Sequence, residues 1–200
     1  MIIVGLTGNV ASGKSTVAAF WREWGVPVVS ADELARQAVA PGSDGLAQVV
    51  EVFGDHVLTE DGHMDRAAVR KIVFDDSEAL RTLEGIIHPE VRALRDRWTD
   101  ERQGTGADLV VWEIPLLFET GMEDDVDVVV LVDAPAPERL DRIVRTRGLT
   151  EAEGEAIMAA QMPADEKRSR AHILIDNDST LATLEERARE VLTQLQTLEV

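Results

Sequence analysis

The chain contains no cysteine. A disulfide framework and a zinc–thiolate site are therefore excluded, and a cytoplasmic location is the expectation. Lysine is nearly missing too, occurring only at Lys14, Lys71 and Lys167. No apolar run approaches membrane-spanning length. The apolar start, Ile2 to Leu6, is too short for a secretory signal and has no basic segment before it. The histidines (His56, His63, His88 and His172) show no metal-ligand spacing, and there are no repeats or low-complexity tracts. Positive charge is in short supply as well. Lys and Arg total 20 against 38 Asp and Glu, a net charge of -18. This excludes nucleic acid and anionic membrane as partners, since both need a basic face. A monomer or weak homo-oligomer is expected.

What is present begins at once. Gly8-Asn9-Val10-Ala11-Ser12-Gly13-Lys14-Ser15-Thr16 matches the phosphate-loop pattern G-x-x-x-x-G-K-[ST]. Ile2 to Leu6 before it reads as a buried parallel strand, and Thr16 to Trp24 after it as an amphipathic helix. In that setting the glycines let backbone N–H groups curl around phosphate oxygens. The helix start adds its positive dipole end. Lys14 places a charge on the β- and γ-phosphates, and the Ser15 hydroxyl can ligate Mg²⁺. Gly8, Ala11, Ser12, Gly13, Lys14, Ser15 and Thr16 are the expected contacts with ATP. A polyanion held by so acidic a chain requires its basic groups to be concentrated locally.

Val26 to Val29 reads as a second strand, followed by a helix over Glu33–Val39. Asp32 lies between them, at the strand edge that holds ligands in a parallel sheet. It is either a site carboxylate or a helix cap. Ser43 to Arg102 reads as almost entirely helical. Asp65 is expected to cap one helix and Ser77 the next, while His88-Pro89 opens another with proline at its first position. A crossover needs only about a dozen residues, so the surplus predicts a helical subdomain for an acceptor substrate. Asp108 to Ile114 is a third strand with Glu113 near its end, placed either to help hold Mg²⁺ through water or simply to end the strand. Leu116-Leu117-Phe118 is expected to pack under the site. Val128 to Val132 is a central strand and His172 to Ile175 the last. Between them, Arg139, Arg142, Arg145, Arg147, Lys167, Arg168 and Arg170 crowd a helical hairpin with a capping box at Thr150 and Glu153. Such a hairpin is suited to closing over a triphosphate.

These residues resemble the dephospho-coenzyme A kinase family over nearly the whole chain. The resemblance is carried by Gly5-Leu6-Thr7-Gly8, Ala31-Asp32-Glu33-Leu34-Ala35-Arg36, Phe53-Gly54, Asp65-Arg66 and Leu83-Glu84 with His88-Pro89. Pro115-Leu116-Leu117-Phe118-Glu119, Gln161-Met162 and Ile175-Asp176-Asn177 complete it. It implies a three-layer α/β P-loop kinase with a five-stranded parallel sheet and helices on both faces. The core would be 1–31, 107–135 and 171–200, the acceptor-binding insertion 32–106 and the lid 136–170. The implied reaction is phosphorylation of the ribose 3′-hydroxyl of dephospho-CoA by ATP with Mg²⁺. By the same resemblance Asp32 is the base, and Lys14 and Arg142 serve the transferring phosphoryl group. Arg66, His88 and Leu116 belong with Asp32 to the acceptor pocket, and Asn177 to the adenine site. The chain departs from the family in three places. Ser30 stands where the family often has aspartate, and Ala11 where it usually has glycine. The second lid arginine falls on Thr146, flanked by Arg145 and Arg147. The competing readings are another small-molecule or nucleoside monophosphate P-loop kinase and a nucleotide-gated switch.

Overall fold

The computed structural model describes residues 1–74 and 76–198; the end of the expected core segment 171–200 lies outside the described residues. Its five strands are β1 (Ile2–Thr7), β2 (Val28–Ser30), β3 (Leu109–Glu113), β4 (Val128–Asp133) and β5 (Ile173–Asp176). They form one sheet in the order β2-β3-β1-β4-β5. β1 runs parallel to both β3 and β4, and β4 parallel to β5. The strands are apolar because helices cover them. Ile2, Val4 and Leu6 point to one face, where they pack with Val17, Ala18 and Trp21 of α1 (Lys14–Glu23) and Leu184, Ala188 and Leu195 of α9 (Leu181–Gln196). Gly5 points the other way, where a Cβ would lie 2.6 Å from Leu117 Cδ1. β1 is central, and the chain leaves its carboxyl end as the phosphate loop, at the switch point where ligands bind in such sheets.

The chain divides into two compact units, Met1–Val29 with Arg102–Val200, and Ser30–Glu101. The first contains the sheet and the arginine-rich hairpin, α6 (Ala136–Arg147), α7 (Glu151–Ala159) and α8 (Ala164–Arg170). Local signals set its helix ends. Thr150 and Glu153 complete a capping box on α7, Thr180 accepts from the Thr183 N–H at the start of α9, and Gly148 ends α6 in the left-handed conformation.

The second unit is α2 (Ala31–Ala38), α3 (Asp44–Phe53), α4 (Arg66–Phe74) and most of α5 (Ser77–Gly104). Its core gathers Val39, Leu46, Val49, Val57, Val69 and Leu83. Asp65 caps α4 through the N–H groups of Ala67 and Ala68. Two expectations fail in α5. Its cap is Asp76, which accepts from Glu78 and Ala79, in place of Ser77. And no new helix opens at His88-Pro89, because α5 runs through Pro89 for 28 residues. A proline ring crowds the carbonyl four residues back. Here that residue is Gly85, which has open space where a side chain would be and more backbone freedom to adjust than any other residue.

Candidate active site

The phosphate loop is built by close approaches that its sequence permits. A Cβ on Gly8 would lie 2.4 Å from the Val132 carbonyl oxygen, and one on Gly13 2.3 Å from Asn177 Nδ2. Gly13 also takes φ +99°. Ala11 is the one non-glycine residue among the described residues with positive φ, at +59°.

The loop's N–H groups divide into two sets. Those of Val10, Ser12 and Thr16 are spent on Gln161 Oε1 and on the Asn9 and Gly13 carbonyls. From Val10 onward the others, those of Ala11, Gly13, Lys14 and Ser15, have no hydrogen-bond partner among the described residues. They form a cradle of donors at a helix start, which is what a phosphate chain requires. The buried Ser12 Oγ and Asn9 Oδ1 also lack partners.

Glu113, at the end of β3, is the chief partner of the loop's functional side chains. Its Oε1 accepts from Lys14 Nζ at 2.5 Å and from Ser15 Oγ at 2.8 Å, and its Oε2 lies 3.6 Å from Arg22 Nη2. Burial would push this carboxyl up. The Lys14 charge, hydrogen bonds from Lys14 and Ser15, and the Arg22 charge together hold it below the ordinary glutamate value. The two side chains that the loop motif assigns to phosphate and metal are thus held in place by one carboxylate. A hydroxyl beside a carboxylate suits a hard cation such as Mg²⁺, which keeps several waters and binds through few protein oxygens. No cluster of three or more His, Cys, Asp or Glu that would hold a metal by itself occurs among the described residues.

The loop's carbonyl side is braced from elsewhere in the same unit. Asn177 donates through Nδ2 to the Ser12 carbonyl at 2.7 Å. Arg142 donates to the Ala11 carbonyl at 3.1 Å, to the Asn177 carbonyl at 3.3 Å and to Glu138 at 3.0 Å. The other hairpin cations are largely spoken for. Arg168 bridges Asp133 and Asp176, and buried Arg139 donates to the Ala134 carbonyl. Arg170 pairs with Glu123 and lies over the Phe118 ring. Among the described residues Arg147 has no side-chain partner, and Arg145 has only the exposed Asp141. Leu117 and Phe118 are buried as expected, but Leu116 is 45% exposed.

In the helical unit Asp32 is the second residue of α2, exposed, and its carboxylate has no hydrogen bond among the described residues; the cap position is Ser30. Arg66 lines a cavity of about 370 Å³ with Arg36, Gln37, His63 and Met64. Among the described residues none of the Arg36, His63 and Arg66 side chains has a hydrogen bond or ion pair. His88 is not among that cavity's lining and sits at another, beside Pro89, Arg92 and Asp96. Sequence reasoning singled out Arg66 but missed Arg36 and His63 as its neighbours. It also gave no contact for Gln161. No local signal carries that one, since its partner lies 151 residues away.

Residues 2–183 match the family model for dephospho-CoA kinase. The chain is 44% identical to the dephospho-CoA kinase of Anaeromyxobacter dehalogenans over 98% of its own length and 92% of that protein's. A Thermus thermophilus crystal structure is 41% identical and superposes with a TM-score of 0.81 over 97% of each chain. The dephospho-CoA kinase of Campylobacter jejuni is 26% identical with a TM-score of 0.73 over 96% of each.

Proposed function

The chain belongs to the dephospho-CoA kinase family, and we propose that it transfers the γ-phosphoryl group of ATP to the ribose 3′-hydroxyl of dephospho-CoA, giving coenzyme A and ADP. The observation that carries the reading is the donor cradle of Ala11, Gly13, Lys14 and Ser15 in a chain with that family match.

In this reaction the 3′-oxygen bonds to the γ-phosphorus, the bond from that phosphorus to the β,γ-bridging oxygen breaks, and ADP leaves. Phosphoryl transfer asks a protein mainly for alignment and charge stabilisation. The free N–H groups hold the phosphate oxygens, and Lys14 exchanges its bond to Glu113 for one to the β- and γ-phosphates. Ser15, with Glu113 beside it, would hold Mg²⁺, which supplies charge neutralisation on the same oxygens. Asp32 takes the hydroxyl proton. Its carboxylate has no competing partner in the protein. Arg36, His63 and Arg66 line one cavity without acidic partners, which suits the diphosphate of the acceptor. Exposed Leu116 suits an apolar part of a substrate. His88 is a second acceptor contact and Asn177 borders the adenine, both by family resemblance. Arg142 shapes the loop that binds the nucleotide, and the lid charge that reaches the phosphates falls to it or to Arg145 or Arg147. No helix among the described residues is long and apolar enough to cross a membrane. The proposed setting is the cytoplasm, and the proposed state a monomer or weak homo-oligomer.

The test is ADP release across an acceptor panel with Mg²⁺ and ATP. Turnover with dephospho-CoA far above that with nucleoside monophosphates is expected. Turnover with a nucleoside monophosphate and none with dephospho-CoA would overturn the acceptor assignment.

A further inference from the structure

Among the described residues Lys167 is a fully buried cation, 0% exposed, on α8. Nothing in phosphoryl transfer calls for it. Its Nζ lies 2.7 Å from Glu119 Oε1, in the loop after β3. The same oxygen accepts from the Met162 N–H at 3.2 Å. Burial would push the Glu119 carboxyl up; the adjacent Lys167 ammonium and the Met162 N–H bring it below its ordinary value. A buried ammonium is tolerated only with such a partner. The pair therefore anchors the turn between α7 and α8 that carries Gln161 and Met162.

That turn reaches the first limb of the phosphate loop. Gln161 Oε1 accepts from the Val10 N–H at 2.8 Å, and the Met162 carbonyl accepts from Asn9 Nδ2 at 3.3 Å. The second limb is held by Asn177 at Ser12 and Arg142 at Ala11. Ala11, between the two sets of ties, is the residue forced to positive φ. A non-glycine residue stays in that conformation only where its surroundings over-determine it. The acceptor on Val10 is a neutral amide, although Asp and Glu outnumber other polar choices in this chain. A carboxylate could accept the same N–H but would set a negative charge beside the phosphates.

We propose that Gln161 is a positioning residue for the nucleotide. It occupies the Val10 N–H, fixes the path of the loop and so presents the four free N–H groups in phosphate-binding register. The Glu119–Lys167 pair holds the turn from which it acts. The proposal rests on the nucleotide half of the function above and not on the acceptor.

The test measures ATP and ADP dissociation constants, then kcat and both KM values, for Gln161→Met and Gln161→Glu in the full chain. Gln161→Met keeps the volume and removes the acceptor atom. It should weaken ATP and ADP binding about tenfold, the worth of one hydrogen bond. The acceptor KM and kcat at saturating ATP should stay within about threefold, and Tm near that of the parent. Gln161→Glu restores an acceptor but adds charge, so ATP should lose more affinity than ADP. Unchanged nucleotide affinity in a folded Gln161→Met protein overturns the proposal, as does a fall in kcat with affinity intact. If Gln161→Met does not fold, Gln161→Glu decides: unaltered ATP-over-ADP preference overturns it. Failure of the acceptor assignment would leave these binding results untouched and show only as absent turnover with dephospho-CoA.

Discussion

The two units hold their polar groups in opposite ways. In the sheet unit most of the site's charged and amide side chains are already engaged. Lys14 and Ser15 rest on Glu113, Asn177 and Arg142 grip the loop carbonyls, and Gln161 takes the Val10 N–H. In the helical unit the side chains of Asp32, Arg36, His63, Arg66 and His88 have no hydrogen bond or ion pair among the described residues. The difference is one of when the cost of order is met. Groups aligned during folding stabilise charge without reorganising at the moment of reaction. Groups left in water lose side-chain freedom only when a ligand orders them. If the proposed roles hold, the donor side is built for alignment and the acceptor side to respond to its substrate.

The sharpest way to break this comparison is Asp32→Asn. If an unpartnered carboxylate is the base, the neutral amide should cost at least about tenfold in kcat, and up to about 10² to 10⁴. ATP affinity and Tm should barely change, because the Asp32 carboxylate has no partner among the described residues. Steady-state kinetics with dephospho-CoA and a thermal melt read both. Near-normal turnover would remove Asp32 from the mechanism. A large loss of Tm would show that the acceptor side is not as loosely held as it looks.

Glu113 tests the opposite claim, that the donor side carries folding energy. Its carboxyl titrates below the ordinary glutamate value of 4.5, because Lys14, Ser15 and Arg22 outweigh the effect of burial. A group with a lowered folded pKa stabilises fully above its unfolded value and loses that contribution as pH falls through the folded one. Stability from Glu113 should therefore be complete above pH 4.5 and fade below it. Glu113→Gln should cost about 1.5–3 kcal/mol at neutral pH, the range for hydrogen bonds to charged groups. That gap should narrow as the parent is acidified. The measurement is the parent-minus-variant difference in unfolding free energy across pH, which cancels the titration of the many other carboxylates. A gap that stays constant with pH would refute the assignment.

The same contrast explains what could be read from the sequence. The phosphate loop, the Thr150–Glu153 capping box, the Thr180 and Asp65 caps and the parallel core strands are all specified by neighbours a few residues apart. Each appears in the structure as expected. Glu113 was legible as a strand-end acid, but its bond to Lys14 spans 99 residues and no spacing rule reaches that far. The arginine-rich hairpin read as dense basic charge suited to closing over a triphosphate. Tertiary pairing with Asp133, Asp176 and Glu123 leaves only part of it available. Pro89 misled for a local reason, since a proline usually opens or ends a helix and the relief offered by Gly85 four residues back was overlooked.

The smallest effect belongs to Ala11, where donor-side order carries a visible strain. Its φ of +59° stands in the left-handed region, which costs an L-residue roughly 1–2 kcal/mol. Glycine would remove that term but bring about 0.5–1 kcal/mol of extra chain entropy to be lost on folding. The two nearly cancel, so Ala11→Gly should stabilise the protein by no more than about 1 kcal/mol, roughly 2–4 °C in Tm for a chain of this size. ATP affinity should be no worse than the parent's, because Gln161, Asn177 and Arg142 hold the loop through its neighbours and its backbone. Calorimetry and ATP titration on the two proteins decide the matter. If glycine loosened the loop and weakened ATP binding, the alanine methyl itself, and not the ties around it, would be what keeps the cradle in register.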